Sequence, residues 1–427
     1  MTPSARVAAT IEILDEVATA NAPADAILAN WFRTHRFAGS KDKRAIRELV
    51  YRDLRKGALL RWMSATLDAD PQSARVRTII ASEQEGAGTA VSRFDGKGYG
   101  PEVLSEAEIS LVERLHSTDK APMPDWVRAE CPEELYSLLA AQWPQSVQEE
   151  AQALNERAPV DLRVNTMRLN VEAARAALAE AEYECVPTSF SPMGLRGNAH
   201  TNFSGLEPFR KGLVDPQDES SQLVTMMVDA KPEMKVIDLC AGAGGKSLAL
   251  SEMMQNKGEI VSCDSSASRL SRMESRREKL GAANIRTLPV EDGVVPDGLE
   301  NWADRVLVDA PCTGSGTWRR SPELRWRTTP ADIAAYVATQ SGLLATAASM
   351  VRPGGRLIYA VCSIFDAEGR DVAHDFETHN AGFARVPVAD VLGPELGGRL
   401  KAKGDLVLTP HRHRTDGMYA AVFERIA

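Results

Sequence analysis

Short apolar runs recur between residues 235 and 426, most of them separated by segments long enough to form a helix. The runs are KVIDLC (235–240), EIVSCD (259–264), IRTLPV (285–290), RVLVDA (305–310), RLIYAVC (356–362) and MYAAVFERI (418–426). Strands that alternate with helices predict a mostly parallel, doubly wound α/β sheet. Ligands of such sheets bind beyond the carboxyl ends of the strands, so the residues that follow each run are the candidates for a site.

The residues at these strand ends are rich in polar groups, glycine and cysteine. They are Asp238 to Lys246, Asp264, Glu291 and Asp292, Asp309 to Gly316, and Cys362 with Ser363. Acids at the ends of the second and third strands suit the hydroxyls of a ribose and the amino group of an adenine. Acids in such places also cap helices, and for Asp264 or Asp292 alone both interpretations stay open.

The segment VIDLCAGAGGKSLAL predicts a strand, a glycine turn and a helix. Gly242, Gly244 and Gly245 allow the backbone to approach a ligand closely at the start of that helix. A Walker A loop requires glycine where Cys240 stands, and the dinucleotide pattern requires glycine where Ser247 stands. The turn therefore favours a less charged, nucleotide-like ligand, with a P-loop NTPase as the weakest alternative.

Two cysteines follow neighbouring strands of the predicted sheet. Cys312 lies in DAPCTGSGT after the fourth run, and Cys362 ends YAVCS at the fifth. Adjacent strand ends lie about 5 Å apart, so we expect the two thiols to meet over one pocket. A thiolate there acts as a nucleophile if cations lower its pKa, and Lys246, Arg319 and Arg320 are candidates for that charge.

The amino-terminal part has a helical pattern and an uneven charge. Residues 4–66 and 124–157 predict helices, Ser40 is a candidate N-cap, and the glycine-rich stretch 84–103 predicts a loop. Residues 31–61 carry a net charge of +7, and residues 62–160 carry −9, within a chain of net charge −9. A basic segment on an acidic protein is typical of a face that binds a polyanion such as RNA, although a solvated helix surface has the same composition.

Composition excludes several classes of protein. The chain has 427 residues, of which 44% are hydrophobic and 26% charged, as in globular proteins of several domains. We expect no membrane span or signal peptide, because no apolar run is long enough and acids interrupt the first 20 residues. Six scattered cysteines without a CxxC pair predict free thiols, no metal site and a cytoplasmic location.

Taken together, the segments DLCAGAGGK, DAPCTGSGTWRR, YAVCSI and TPHRHRTDGMYAAVF resemble the RNA 5-methylcytosine methyltransferases of the RsmB/NOP2/Sun type. VDPQDESSQL and LRVNTMR are similar to the segments that precede the catalytic domain in that family. AGSKDKRAIRELVYRDLRK resembles the NusB-type RNA-binding domain of its bacterial RsmB branch. The resemblance implies a multidomain chain with three parts. They are an all-α NusB-like bundle (1–120), linker helices with a small α+β RRM-like region (121–230), and an α/β Rossmann-like class I methyltransferase domain (231–427).

The resemblance also implies a cofactor, a substrate and residue roles. S-adenosylmethionine is the methyl donor, and the substrate is RNA, small-subunit (16S) rRNA before tRNA. The implied cofactor residues are Cys240, Ala241, Gly242, Ala243, Gly244, Gly245 and Lys246, with Asp264 at the ribose, Asp292 at the adenine and Asp309 between cofactor and base. Cys362 is the implied nucleophile, Cys312 assists product release, and Asp309 with Lys246 completes the implied catalytic set.

The chain departs from the family pattern in places. The loop reads AGAGGK where the family has AAPGGK, and the acidic run after Cys362 retains only Glu368. An RNA-binding ribosome-assembly factor with an inactive methyltransferase domain is therefore a second hypothesis. We expect a monomer that requires no metal, with phosphate contacts from the basic helices and from WRRSPELRWR (318–327).

Overall fold

The computed structural model describes residues 1–117, 122–197, 203–291 and 293–426. The helices of these residues are α1 (Pro3–Thr19), α2 (Ala24–Thr34), α3 (Ser40–Arg55), α4 (Gly57–Thr66), α5 (Ala74–Glu83), α6 (Thr89–Arg93), α7 (Glu106–Ser117), α8 (Asp125–Arg128), α9 (Glu133–Gln142), α10 (Val147–Asn155), α11 (Val171–Glu180), α12 (Glu207–Arg210), α13 (Glu219–Met227), α14 (Gly245–Met253), α15 (Ala267–Leu280), α16 (Glu323–Arg327), α17 (Pro330–Met350), α18 (Arg370–His379), α19 (Val388–Leu392), α20 (Pro394–Arg399) and α21 (Pro410–His413). The strands are β1 (Val160–Val164), β2 (Cys185–Pro187), β3 (Gly194–Gly197), β4 (Val214–Pro216), β5 (Lys235–Asp238), β6 (Glu259–Asp264), β7 (Ile285–Pro289), β8 (Ala303–Asp309), β9 (Val351–Val361), β10 (Phe383–Val386), β11 (Leu406–Leu408) and β12 (Met418–Arg425).

The chain forms two compact units. The first contains Met1–Asn155 and Trp318–Thr329, and the second contains Glu156–Thr317 and Pro330–Ala427. A helical unit and a unit that contains both helices and sheets confirm a multidomain chain. The three-domain division at residues 120 and 230 stays a prediction, because these units group the chain by contacts and not by parts that fold independently.

The described residues of the first unit form helices and loops without strands. Helix α3 shows why: Ile46, Val50 and Leu54 recur every fourth residue and are buried, while its other faces carry charges. Packing of these apolar faces gives two cores, one around Leu28 and Trp31 and one around Phe94. The helical content agrees with the predicted all-α bundle, and its likeness to NusB stays a prediction.

Two local predictions in this unit are wrong. Ser40 is the first residue of α3, and Gly39 is the N-cap. The Asp42 carboxylate accepts the Gly39 amide at 3.1 Å, so Asp42 and not Ser40 supplies the side-chain acceptor at this end of the helix. The predicted loop 84–103 contains α6. The buried Glu83 carboxylate accepts the amides of Gly88 at 2.6 Å and Ala90 at 3.0 Å, which stabilises the start of this short helix.

The predicted phosphate contacts from residues 318–327 are wrong for Arg325. Its side chain is 1% exposed and donates to the carbonyl oxygens of Glu130 at 2.5 Å and Leu154 at 3.1 Å. Arg327 donates to the carbonyl oxygens of Ala22 at 2.9 Å and Val17 at 2.6 Å. These arginines donate hydrogen bonds to carbonyl oxygens where helices and turns of the first unit end. Their guanidinium groups therefore stabilise the fold, which is a different role from the predicted phosphate contact.

The larger sheet of the second unit has the strand order β10-β12-β9-β8-β5-β6-β7, with β11 paired to β12. Strands β5 to β9 pair in parallel, and β10, β11 and β12 pair antiparallel. Each of the six apolar runs contributes a strand to this sheet, which confirms the predicted Rossmann-like α/β arrangement. Continuous burial of Ile237, Val306 and Ile358 accounts for it, because helices cover both faces of such a sheet.

A smaller antiparallel sheet of order β2-β3-β1-β4 precedes it in the same unit. The fully buried Arg163 of β1 donates to the Glu252 carboxylate of α14 at 2.8 and 3.0 Å and to the Gln217 amide oxygen at 2.6 Å. It also donates to the Gly245 carbonyl oxygen at 3.3 Å. The small sheet is therefore linked by a buried charge to the first turn of α14, which follows the glycine loop.

No helix among the described residues is both long and apolar enough to cross a membrane.

Candidate active site

The sulfur atoms of Cys312 and Cys362 lie 3.4 Å apart. Each cysteine follows one of two neighbouring parallel strands, β8 and β9, and Asp309, the last residue of β8, is in register with Ala360 of β9. Both side chains are partly exposed free thiols. The predicted meeting of the two thiols is therefore what the structure shows.

A buried carboxylate holds the two cysteine loops together. Glu368 is fully buried and accepts the Thr313 amide at 2.8 Å and the Thr313 hydroxyl at 2.6 Å. It also accepts the Ser363 hydroxyl at 2.5 Å and the Gln340 side-chain amide at 3.3 Å. Because Thr313 and Ser363 each follow one of the cysteines, Glu368 fixes the position of both thiols.

Backbone contacts reinforce this arrangement. The Gly316 amide donates to the Cys362 carbonyl oxygen at 3.0 Å, and the Gly417 amide donates to the Gly316 carbonyl oxygen at 2.8 Å. A Cβ on Gly316 would lie 2.1 Å from the Gly417 carbonyl oxygen. Only glycine fits where these two loops cross, which explains glycine in both DAPCTGSGT and RTDGMY.

The neighbouring Cys362 perturbs the pKa of the Cys312 thiol. The hydrogen bond to Cys362 is the main reason that the pKa of Cys312 lies well above its ordinary value, with burial next and the charge of Cys362 after that. The raised pKa favours the protonated form of the Cys312 thiol, so Cys312 is able to donate the hydrogen bond between the two sulfur atoms.

Lys246 and Asp309 form an ion pair at the same strand ends, with 2.5 Å between Nζ and Oδ2. Burial by itself lowers the pKa of the Lys246 ammonium, but the Asp309 carboxylate outweighs burial and raises that pKa. The charge of Cys362 raises it further, so Lys246 is an electrostatic neighbour of the thiol pair. Of the three predicted cations, Arg319 and Arg320 belong to the first unit.

A cleft of about 350 Å³ opens beside this pair. Its volume falls within the range of about 300–1,000 Å³ that is usual for small-molecule sites. Its lining comes from the loops after β5 to β8 and from α17, and it includes Cys240, Ala241, Gly242, Ala243, Asp264, Glu291, Asp309 and Pro311. The cleft thus lies beyond the carboxyl ends of the parallel strands, where the topology predicts a ligand.

The glycine loop is divided between this cleft and the helix. Cys240 to Ala243 line the cleft, whereas Gly244 and Gly245 start α14 and Lys246 pairs with Asp309. Gly242 has a φ of +56°, and apart from its chain neighbours no atom of the described residues lies within 4 Å of the place where its Cβ would be. The loop therefore has open space above it at Gly242. Because Lys246 is bound to Asp309, a phosphate-binding role for it is disfavoured.

Asp264 is not the cap of the helix that follows it, because Ser266 is the N-cap of α15, and a role at the ribose stays a prediction. It lines the cleft, yet its side chain is only 3% exposed. One carboxylate oxygen accepts the Gly242 amide at 2.9 Å, and the other accepts the Ser266 amide at 2.8 Å. A carboxylate has about four acceptor positions, so these bonds leave room for a ligand hydroxyl. Asp292 lies outside the described residues, while its neighbours Glu291 and Gly293 line the cleft.

Sequence reasoning did not identify Gln340 as a residue of the site, and it did not predict the contacts of Glu368. Glu368 is visible in the sequence as the acid retained after Cys362, but nothing there indicates that it contacts Thr313. Gln340 lies in the middle of α17 and its side-chain amide also donates to the Pro311 carbonyl oxygen at 2.9 Å. A polar residue at a fully buried helical position is the signal that would have found it. Among the described residues no group of three or more His, Cys, Asp or Glu side chains is placed to hold a metal ion.

Comparison with known proteins gives two family models. Residues 225–424 match the model described as 16S rRNA methyltransferase RsmB/F, and residues 131–203 match the ferredoxin-like domain of RsmF/B-like methyltransferases. Among solved structures, the crystal structure of PH0851 covers 100% of this chain and 99% of its own, with 26% identity and a TM-score of 0.79. The structure of NSun6 from Pyrococcus horikoshii with SFG covers 69% of this chain and 98% of its own, with 20% identity and a TM-score of 0.61, which indicates a shared fold.

Curated relatives extend the match over most of the chain. The probable ribosomal RNA small subunit methyltransferase B of Synechocystis sp. is 30% identical over 83% of this chain and 79% of its own. Ribosomal RNA small subunit methyltransferase B of Klebsiella pneumoniae is 30% identical over 84% of this chain and 88% of its own. The resemblance seen in the sequence motifs is thereby confirmed, and the chain belongs to the RsmB/F family of 16S rRNA methyltransferases.

Proposed function

We propose that this protein methylates carbon 5 of a cytosine in 16S rRNA, with S-adenosylmethionine as the methyl donor and Cys362 as the nucleophile. The observation that carries the proposal is the 3.4 Å separation of two thiols at adjacent strand ends, beside a cleft of nucleoside size. Family membership supports an rRNA substrate, and the name of both relatives supports the small subunit.

The cleft fits S-adenosylmethionine by its donor set and its shape. Asp264 and Glu291 line the cleft. In this proposal Asp264 accepts a ribose hydroxyl, and Asp292 is the adenine partner. The open space at Gly242 allows a ligand to contact the loop backbone there. We therefore assign Cys240 to Lys246, Asp264, Asp292 and Asp309 to cofactor binding. Within the loop, Gly244 and Gly245 lie at the start of α14 and Lys246 pairs with Asp309, so these three residues support the loop without lining the cleft. When bound, S-adenosylmethionine supplies an electrophilic methyl group at sulfonium sulfur.

Cys362 begins the reaction on the base. Its thiolate adds to carbon 6 of the cytosine, forming a C–S bond and moving the electrons of the 5,6 double bond toward carbon 5 and the ring nitrogen. Carbon 5 thereby becomes nucleophilic enough to take up a methyl group. The target base must be unstacked for this attack, which costs a few kcal/mol and costs less in an RNA loop.

Cys312 completes the reaction because its acidity depends on Cys362. The hydrogen bond and the charge of Cys362 are two of the causes that raise its pKa, and both are lost once that sulfur is bonded to carbon 6, whereas burial and the charge of Glu368 remain. Cys312 then releases its proton to solvent and, as a thiolate, takes the proton from carbon 5. The electrons of that C–H bond restore the double bond, the C–S bond breaks, and Cys362 leaves as a thiolate.

Asp309 and Lys246 stabilise the cytosine ring without attacking carbon 6. A carboxylate at the end of β8 is placed to accept a hydrogen bond from the exocyclic amine of cytosine. The ammonium of Lys246, held at 2.5 Å, offsets the charge that builds up on the ring after thiolate addition. Neither residue forms a covalent bond in this scheme.

The test compares methyl transfer and cofactor binding in matched cysteine variants. Cys362→Ala should abolish transfer of labelled methyl groups to 16S rRNA and leave S-adenosylmethionine binding, measured by titration calorimetry, unchanged. Cys185→Ala, a partly exposed cysteine in the small sheet, should retain activity. Full activity of Cys362→Ala would contradict the proposal, and absence of cofactor binding in the unaltered protein would favour an inactive assembly factor.

The substrate requires a separate measurement. Bisulfite sequencing of total RNA from cells with and without this protein should show one or more 16S rRNA cytosines whose protection depends on it. Protection confined to tRNA would contradict the rRNA assignment, but it would still support methylation of cytosine at carbon 5. That the protein acts as a monomer in the cytoplasm without a metal stays a prediction.

A further inference from the structure

Two aromatic rings of the first unit lie side by side at its surface. Phe37 is 65% exposed and Tyr99 is 87% exposed. Their ring centroids are 6.4 Å apart and their planes differ by 22°. Large aromatic side chains that are this exposed gain little for folding, so their pairing indicates a contact surface.

The rings rest on a layered aromatic base. The His35 ring stacks on Trp31 with 3.9 Å between centroids and 10° between planes. Phe37 meets both rings edge-on, at 6.5 Å from Trp31 and 5.7 Å from His35. Trp31 itself is 5% exposed and belongs to the core of the unit. The exposed phenyl ring is therefore fixed by packing beneath it.

The loop that carries Tyr99 is also fixed. The Lys97 amide donates to the Asp95 carboxylate at 3.0 Å, and the Gly100 amide donates to the Lys97 carbonyl oxygen at 2.9 Å. The Ser4 hydroxyl of α1 donates to the other Asp95 oxygen at 3.0 Å. Gly100 sits so close that a Cβ there would lie 2.9 Å from the Ser4 Cβ. This turn presents Tyr99 to solvent in a defined position.

Four exposed cations lie close in sequence to the two rings. Arg36 precedes Phe37, Lys97 lies two residues before Tyr99, and Lys41 and Arg44 lie in the first turns of α3. None of the four makes an ion pair within the part of the chain that the structure describes. By contrast, Arg47 and Arg52 of the same helix pair with Asp25 and Glu85.

Asp42, the acid in the first turn of α3, is turned inward. Asp42 is 8% exposed and pairs with the amino terminus at 3.2 Å and with Arg6 at 2.8 Å. The surface of Phe37, Tyr99, Arg36, Lys41, Arg44 and Lys97 is here named the aromatic-basic platform. Asp95 lies two residues before Lys97 and interacts with its charge, so the four exposed cations outnumber this acid and leave a positive balance. Exposed flat rings together with exposed cations match a single-stranded nucleic acid, whose bases stack while its phosphates pair.

We propose that the aromatic-basic platform binds a single-stranded segment of the RNA substrate. The inference rests on the proposed function for its ligand and adds a binding site to it. A protein partner is the less suitable occupant, because lysine is depleted at protein–protein interfaces. Stacking of one base on one ring changes the dissociation constant by about 5- to 150-fold.

The experiment measures binding of a fluorescein-labelled 12-nucleotide oligocytidine to the full-length protein by anisotropy. The double variant Phe37→Ala/Tyr99→Ala should weaken binding at least about fivefold. Val91→Ala, a 58% exposed side chain of α6 in the same unit, should leave it unchanged. Arg36→Gln/Lys41→Gln should reduce the slope of log K against log salt by about 1.4, at about 0.7 for each lost phosphate contact.

A third variant separates stacking from apolar contact. Phe37→Leu/Tyr99→Leu keeps an apolar surface without flat rings and should bind as weakly as the alanine pair. Full affinity of the alanine pair or of the leucine pair would overturn the inference. The proposed function would stand in that case if the unaltered protein still methylated its RNA. Failure of the unaltered protein to bind the oligonucleotide or 16S rRNA would contradict the proposed function itself. Unchanged melting temperature and cofactor affinity show that the variants remain folded.

Discussion

Thr313 and Glu368 are 55 residues apart in the chain, yet Thr313 donates two hydrogen bonds to the Glu368 carboxylate, at 2.8 Å from its amide and 2.6 Å from its hydroxyl. Ser363 donates a third at 2.5 Å. One buried carboxylate thus sets the distance between the two cysteine loops, and through them the distance between the sulfur atoms.

Glu368→Gln should lower kcat without changing the affinity for S-adenosylmethionine. The amide retains the size of the side chain, but its nitrogen cannot accept a hydrogen bond from Thr313 or Ser363. A displacement of about 1 Å at the thiols is expected to cost up to about 100-fold in rate. Single-turnover methyl transfer measures the effect, with KM for RNA determined in parallel. Glu395→Gln, an exposed glutamate of α20, is the matched control, and equal rates for the two variants would contradict the role given to Glu368.

Arg163→Met should destabilise the second unit strongly. The change leaves the Glu252 carboxylate buried without its partner, which costs about 3–5 kcal/mol of the free energy of unfolding. Arg286→Met removes an ion pair with Glu259 in which both side chains are nearly half exposed, and it should cost less than about 1 kcal/mol. Urea unfolding of both variants measures the difference, and equal losses would show that the Arg163 pair adds nothing through burial.

Much of the sheet and part of the site could be predicted from the sequence, because both depend on local pattern. Buried parallel strands are continuous apolar runs, so each run from KVIDLC to MYAAVFERI could be placed within a few residues. The meeting of Cys312 and Cys362 followed from one further rule, that the ends of adjacent parallel strands lie together. No contact between specific side chains was needed for either prediction.

The rest depends on contacts between residues far apart in sequence. The sequence of WRRSPELRWR suggests a solvated basic surface, but Arg325 is buried against backbone carbonyls of the first unit. Periodicity cannot show that a segment after residue 317 packs among helices that end by residue 155. The same holds for Glu368, whose acidic character is visible while its partners are not.

Asp238→Asn should change how stability depends on pH. Burial is the main cause that raises the pKa of the Asp238 carboxyl to about 7. Among the described residues only one of its oxygens has a hydrogen-bond partner, the Ser247 hydroxyl at 2.6 Å. Between pH about 4 and about 7 the unfolded chain has lost this proton and the folded chain retains it. The unaltered protein should therefore lose stability relative to the variant as pH rises through that window, and the difference should level off above it.

Urea unfolding at several values from pH 4.5 to pH 8 measures this difference. Asp297→Asn, the same change at an exposed aspartate, is the matched control. A stability difference for Asp238→Asn that stays constant across the range would show that its carboxyl is ionised like an exposed one.

The covalent step is tested most directly by locating the RNA on the protein. Cys312→Ala removes the group that takes the proton from carbon 5, so the adduct should form and not resolve. The trapped complex should survive denaturation, and digestion with protease and nuclease followed by mass spectrometry should place a methylated cytosine on the peptide that contains Cys362. A nucleotide found on another residue, or normal product release by Cys312→Ala with no adduct, would contradict the account.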